Sequence, residues 1–171
     1  MVTPWTDALE RADACSPYLS RAMARLPDLV SLLAAGDGEG ALDWARKSGT
    51  GADDVGQALR REKLSLSLAV AIGDLAGAFP LLRVTGELSA FADRAMDTAI
   101  AAAIRRSAPD AQPAGFIGLA LGKHGANELN YSSDIDPILL YDPALLPRRE
   151  RDEPGEAAQR VARGLVETRA T

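Results

Sequence analysis

Between Phe116 and Tyr141 the chain passes through an apolar run, a glycine turn, two aspartates separated by one residue and a second apolar run, an order that few folds accommodate. Phe116-Ile117-Gly118-Leu119-Ala120-Leu121 reads as a short strand entering a tight turn at Gly122, where backbone N–H groups can face a phosphate. Asp134-Ile135-Asp136, followed by Ile138, Leu139, Leu140 and Tyr141, is expected to open a second strand. Side chains at i and i+2 of a strand share a face, so both carboxylates would converge on one site. Two like charges so close are costly unless a cation lies between them, and a small set of hard oxygen ligands suits Mg²⁺, which keeps its other positions for water and substrate phosphates. The predicted site therefore has Asp134 and Asp136 as catalytic metal ligands and Gly122 and Lys123 as a phosphate cradle, the arrangement that phosphoryl and nucleotidyl transfer require. Ser132 and Ser133 are candidate phosphate contacts, or else turn residues that satisfy the backbone. Lys123 has a competing surface partner in Glu128, and His124, the only histidine, has a structural reading beside an acid–base one.

The residues before this region read as helices. Pro4, Pro17 and Pro27 suit first turns, and Gly36-Asp37-Gly38-Glu39-Gly40 is expected to separate short helices. Asp53-Asp54 is a good N-cap pair for a helix running towards Gly73. Leu64 to Ile72 alternates with period two, but Leu64, Leu68, Ala71 and Ile72 also fit helical spacing and no turn residue interrupts the run, which favours a helix. Val84, Leu88, Phe91, Ala92, Ala95, Ala99 and Ala102 recur at helical spacing and leave Glu87, Asp93, Arg94 and Asp97 for solvent. Ser107 to Pro113 breaks the pattern, giving a helical region at 1–107, a linker at 108–113 and a second domain at 114–171. After a charged loop around Arg148-Arg149, the stripe Ala157, Val161, Leu165 and Val166 predicts a helix packed on the sheet.

Composition removes several functions. A net charge of −5 and 5% aromatic residues leave neither a basic surface nor stacking platforms for nucleic acid. Ala99 to Ile104 is far too short to span a bilayer, and Met1 to Asp7 lacks the charged and apolar regions of a secretion signal. Cys15 is alone, so neither an intrachain disulfide nor a cysteine zinc site is possible, and a reducing cytoplasm is the expected location.

The order Leu121-Gly122-Lys123, ten residues, then Asp134-Ile135-Asp136 resembles the signature of the polymerase-β-like nucleotidyltransferase superfamily, with Lys123 where many members carry serine or glycine. The fuller string Gly-Lys-x-Gly-x-x-Glu-Leu-Asn-Tyr-Ser-Ser-Asp-Ile-Asp, Gly122 to Asp136, resembles the family of bifunctional glutamine synthetase adenylyltransferase/adenylyl-removing enzymes. The likeness is specific over residues 115–142 and looser over the helical segment from 55 to 107. Two positions depart from it: His124 stands where leucine is usual, and Pro137 where a branched apolar residue is usual.

The resemblance implies an α+β fold, in which an N-terminal helical region precedes a partial polymerase-β-like nucleotidyltransferase sheet and a C-terminal helix. It implies an enzyme that removes AMP from a tyrosine of glutamine synthetase by phosphorolysis, releasing ADP, and that adds AMP from ATP in its other half. Mg²⁺ is the implied cofactor. Glutamine synthetase, a PII-type signal protein, ATP or ADP, and phosphate are the implied partners. The position of the motif resembles the N-terminal, deadenylylating copy. A further carboxylate is implied on a later strand within an Asp-x-Arg-Leu-Arg-Pro-like segment, and no such string occurs here, so the chain is read as a fragment expected to turn over poorly. Two other readings fit the same residues: a noncatalytic helical interaction module, and nucleotide transfer to a different acceptor.

Overall fold

The computed structural model describes the backbone of residues 3–170 and the side chains of residues 3–166. Met1, Val2 and Thr171, which the sequence reading places at the ends of its two regions, lie outside the described residues. The first three helices, α1 (Pro4–Cys15), α2 (Pro17–Arg25) and α3 (Pro27–Ala34), each begin on proline. Proline is favoured there because its missing N–H would find no acceptor in the first turn and its fixed φ already suits a helix. Thr3 and Ser16 complete the first two starts by accepting from the N–H groups of Thr6 and Leu19.

The glycine cluster departs from expectation. Gly36, at φ 79°, follows the end of α3, but Gly38 and Gly40 lie inside α4 (Gly38–Lys47), whose first turn is held by Asp37 Oδ1 accepting from Gly40 N at 2.9 Å. A good N-cap contributes about 1 kcal/mol, enough to offset the entropy of a glycine in the first turn.

Asp54 caps α5 (Val55–Leu75) in the same way. The period-two stretch is helical, and Leu66, Leu68, Ala69, Val70 and Ile72 are all buried because α1, α2, α3, α4 and α6 (Leu81–Ser107) surround this helix. A helix enclosed on most sides has no need of a polar stripe, which is why its alternation misleads. With Leu29, Leu33 and Leu42 these residues form the first core.

α6 belongs to two cores at once. Val84 joins the first, whereas Met96, Ile100, Ala103 and Ile104 join Phe116, Leu146, Val161 and Leu165 in the second. At 1.5 Å per residue its 27 residues reach about 40 Å, long enough to serve both. The solvent face assigned to it needs correction. Glu87 is buried and lies 2.7 Å from Arg46 and 3.1 Å from Arg83, and Arg94 donates to Glu62 at 2.7 Å. These acids and bases come from elements far apart in sequence, so helical periodicity cannot reveal their pairing.

Beyond α6, β1 (Phe116–Leu119) pairs antiparallel with β2 (Ile138–Tyr141), Phe116 opposite Tyr141 and Leu119 opposite Ile138. Gly115 at φ 71° turns the chain into β1 with its Cα against the backbone of Leu145 and Leu146, an approach that a Cβ would block. One face of the ribbon covers Met96 through Gly118; the other leaves Ile117, Leu119, Ile138 and Leu140 about half exposed. The one-turn helix α7 (Gly122–Gly125) lies between the strands in sequence, and α8 (Pro154–Ala170) packs along the end of α6. The result is the expected α+β arrangement of helices, small sheet and C-terminal helix.

Candidate functional site

The aspartates lie outside the β-ladder, contrary to the expectation that Asp134-Ile135-Asp136 opens the strand. Pairing starts only at Ile138, because Pro137 has no N–H to donate and β1 ends at Leu119, opposite Ile138. The extended alternation nevertheless continues upstream: Asp134 and Asp136 are exposed, while Ile135 is half-buried against the second core. Both carboxylates therefore stand on the solvent side of one segment, and both line one cavity of about 650 Å³.

Gly122, Lys123, Ser132 and Ser133 line that same cavity. Gly122 has φ 56°, a conformation that side-chain-bearing residues rarely adopt, and nothing lies within 4 Å of where its Cβ would stand. This leaves the backbone open to a close approach. Lys123 is exposed and forms no ion pair with any described residue; its link to Glu128 is a backbone hydrogen bond of 2.7 Å, Glu128 N to Lys123 O.

The two serines divide. Ser133 Oγ accepts from Asn130 N at 3.0 Å and lies 3.0 Å from Asn130 Oδ1, which also accepts from Ser132 N at 3.1 Å. Asn130 thus folds the Asn130–Ser133 turn around its own side chain, and Ser133 is a member of that turn. Sequence reasoning passed over Asn130, although an asparagine two residues before a serine is a signal for such a turn.

What fixes this turn in space comes from the helices. Tyr131 O–H donates to Asp74 Oδ2 at 3.1 Å, Leu129 N donates to Ser89 Oγ at 3.3 Å, and His124 Nε2 lies 2.8 Å from Asp93 Oδ1. Burial first, and then the Asp74 carboxylate, push the Tyr131 phenol well above its ordinary value, so it stays a donor. His124 is buried and lines a different cavity with Asp93 and Asp97, not the one that Asp134 and Asp136 share. Asp74, Ser89 and Asp93 were invisible as site residues because they act only through distant contacts.

No group of three or more histidine, cysteine or acidic residues that could hold a metal occurs among the described residues; the cavity itself offers two carboxylates, of Asp134 and Asp136, beside serine hydroxyls and the Asn130 amide. That is the number of protein carboxylates Mg²⁺ commonly takes when phosphates and water complete its shell, and it is poor for zinc, which prefers nitrogen and sulfur.

A family model described as glutamate-ammonia ligase adenylyltransferase matches residues 6–168. The chain belongs to the glutamate-ammonia ligase adenylyltransferase family. Among curated proteins it is similar to the bifunctional glutamine synthetase adenylyltransferase/adenylyl-removing enzyme of Caulobacter vibrioides, 39% identical over 89% of this chain and 17% of the relative. The enzymes of the same name from Xanthobacter autotrophicus and Rhodopseudomonas palustris are 38% and 40% identical over 72% and 66% of this chain, covering 14% and 12% of their own lengths. The chain therefore spans less than a fifth of the length of these relatives. The match to the glutamate-ammonia ligase adenylyltransferase family begins within α1 and takes in the helices that anchor the Asn130 turn as well as the cavity. No helix among the described residues is long and apolar enough to cross a membrane.

Proposed function

We propose that this chain carries a nucleotide-handling site of an enzyme that moves adenylyl groups on and off glutamine synthetase, and that the direction it serves is phosphorolytic removal. The observation that supports this reading is the single cavity collecting Asp134, Asp136, Gly122 and Lys123 in a member of this family. Asp134 and Asp136 would hold Mg²⁺, which when bound supplies charge stabilisation to the transferring phosphoryl group. Lys123 meets a phosphate as a mobile point charge, and Gly122 lets that phosphate approach the backbone. Asn130 and Tyr131 hold the acidic segment so that its carboxylates are positioned before the substrate arrives.

An oxygen of orthophosphate attacks the adenylyl phosphorus in line, and a new P–O bond forms as the bond to the tyrosyl oxygen breaks. The electron pair of the broken bond stays on that oxygen, which takes up the proton brought by phosphate, giving ADP and free tyrosine. No covalent enzyme nucleophile is needed. Glutamine synthetase, a PII-type regulator, ATP or ADP, and phosphate are the partners in this reading, and the cytoplasm its location.

Calorimetric titration of the chain with ADP in the presence of Mg²⁺ tests it. Binding should require Mg²⁺ and should be lost in Asp134→Asn and in Asp136→Asn with the thermal unfolding transition retained. Titration curves unchanged by either substitution, or an absence of Mg²⁺-dependent binding in the unsubstituted chain, would reject the assignment and favour a docking module.

A further inference from the structure

A second cavity, of about 570 Å³, opens beside the first and shares two of its wall residues, Ser133 and Asp134. It lies on the Ile135 side of the acidic segment, bounded by α5, α6 and α8. Its floor is apolar and made partly of small side chains, with Phe91, Ala95, Met96 and Ala99 of α6 all contributing. Arg60 and Lys63 of α5, three residues apart and so on one helix face, also line it. Both are exposed and neither forms an ion pair or side-chain hydrogen bond among the described residues, unlike their neighbour Glu62, which is held by Arg94.

An apolar recess of this size, lined by two cations that no described residue pairs and sharing the wall at Ser133 and Asp134 with the first cavity, suits a ligand that has an apolar body and an anionic end. At the wall shared with the first cavity an anionic end would lie beside Asp134, in a recess that Arg60 and Lys63 also line, with the body extending over Ala95 and Ala99.

We infer that this recess binds the nucleoside part of the adenine nucleotide, with the base over Ala95 and Ala99 and the α-phosphate at the junction of the two cavities. The inference rests on the nucleotide-handling reading above and adds to it where the base lies and which helix selects it. Alanine at both floor positions matters because a larger side chain would fill the space the ring needs. The free tyrosine product and the phosphate nucleophile are left to the outer cavity, on the Gly122 side.

The test compares ADP with inorganic pyrophosphate, which has the same diphosphate and no nucleoside, each with Mg²⁺ and the 171-residue chain. In methyl-labelled protein, ADP should shift the Ala95, Met96 and Ala99 signals and pyrophosphate should leave them in place. Ala95→Trp should weaken ADP binding about tenfold, equivalent to about 1.4 kcal/mol, with pyrophosphate binding changed by less than about twofold. Ala99→Leu should do the same to a smaller degree, and the methyl shifts need no substitution at all, so a poorly folding variant does not protect the idea. Unmoved alanine signals on saturation with ADP would overturn it, as would equal loss of ADP and pyrophosphate binding in Ala95→Trp with an unchanged fold. Shifts produced by a tyrosine-containing acidic peptide, with none from ADP, would assign the recess to the acceptor and overturn it too. Failure of both ADP and pyrophosphate to bind the unsubstituted chain would instead remove the underlying nucleotide reading.

Discussion

His124 Nε2 lies 2.8 Å from Asp93 Oδ1, and this hydrogen bond ties the turn carrying Gly122 and Lys123 to the middle of α6. His124 is buried, and its other ring nitrogen, Nδ1, has no hydrogen-bond partner. The ring is therefore held at one point and unsatisfied at the other.

Removing Asp93 as Asp93→Ala leaves two unpaired ring nitrogens and should destabilise the chain by about 1–3 kcal/mol. His124→Leu removes both polar atoms while keeping much of the volume, and should fall within about 1 kcal/mol of the unsubstituted protein. Urea denaturation of the pair checks the order. A larger loss for His124→Leu than for Asp93→Ala would show that the ring does more than anchor the turn.

Tyr131 gives a pH dependence with a definite sign. Its phenol is raised above the ordinary value of 10.0, first by burial and then by the charge and hydrogen bond of Asp74. Above about pH 10 the unfolded chain loses this proton while the folded chain keeps it, so stability from this group is fully present below pH 10 and is lost as pH rises through the folded value. Tyr131→Phe should cost about 0.5–1 kcal/mol at neutral pH, modest because the ring is half exposed, and the difference from the unsubstituted chain should shrink in alkali. Tyrosinate absorbance should show one of the three tyrosines titrating after the others. A gap that stays constant through strongly alkaline pH would contradict the assignment.

Gly73 and Gly86 sit inside long helices and should respond oppositely to alanine. A Cβ on Gly73 would overlap the ring of Phe79, which is buried and stands edge-on to Trp5 with centroids 5.9 Å apart. Gly73→Ala should therefore lose about 1–3 kcal/mol despite the helix-forming gain of about 1 kcal/mol that alanine brings. A Cβ on Gly86 meets nothing within 4 Å, so Gly86→Ala should raise stability by up to about 1 kcal/mol. Thermal unfolding of both variants separates overpacking from propensity, and shifts of the same sign would contradict this account.

The helix starts were legible because they rest on local chemistry. Pro4, Pro17 and Pro27 at first turns and the Asp54 cap need no distant partner to act. The strand was harder: Pro137 announced a lost donor, yet the hydrophobic run made Asp134 look like part of the ladder, when the end of β1 decides where pairing stops. Glu87 shows the same limit on α6, since its place in the helix suggested water and only the approach of α4 supplied Arg46.

By itself the sequence determined the residue types of the outer cavity and their shared side of an extended segment, because alternation of side chains is a property of the backbone and survives without a paired strand. The tertiary structure decided how that segment is held and what lies behind it. Asp74, Ser89 and Asp93 reach the turn, and Arg60 and Lys63 reach Asp134's second cavity, only after α5 and α6 pack together. Contacts between residues tens of positions apart depend on the whole core, and no local pattern encodes them.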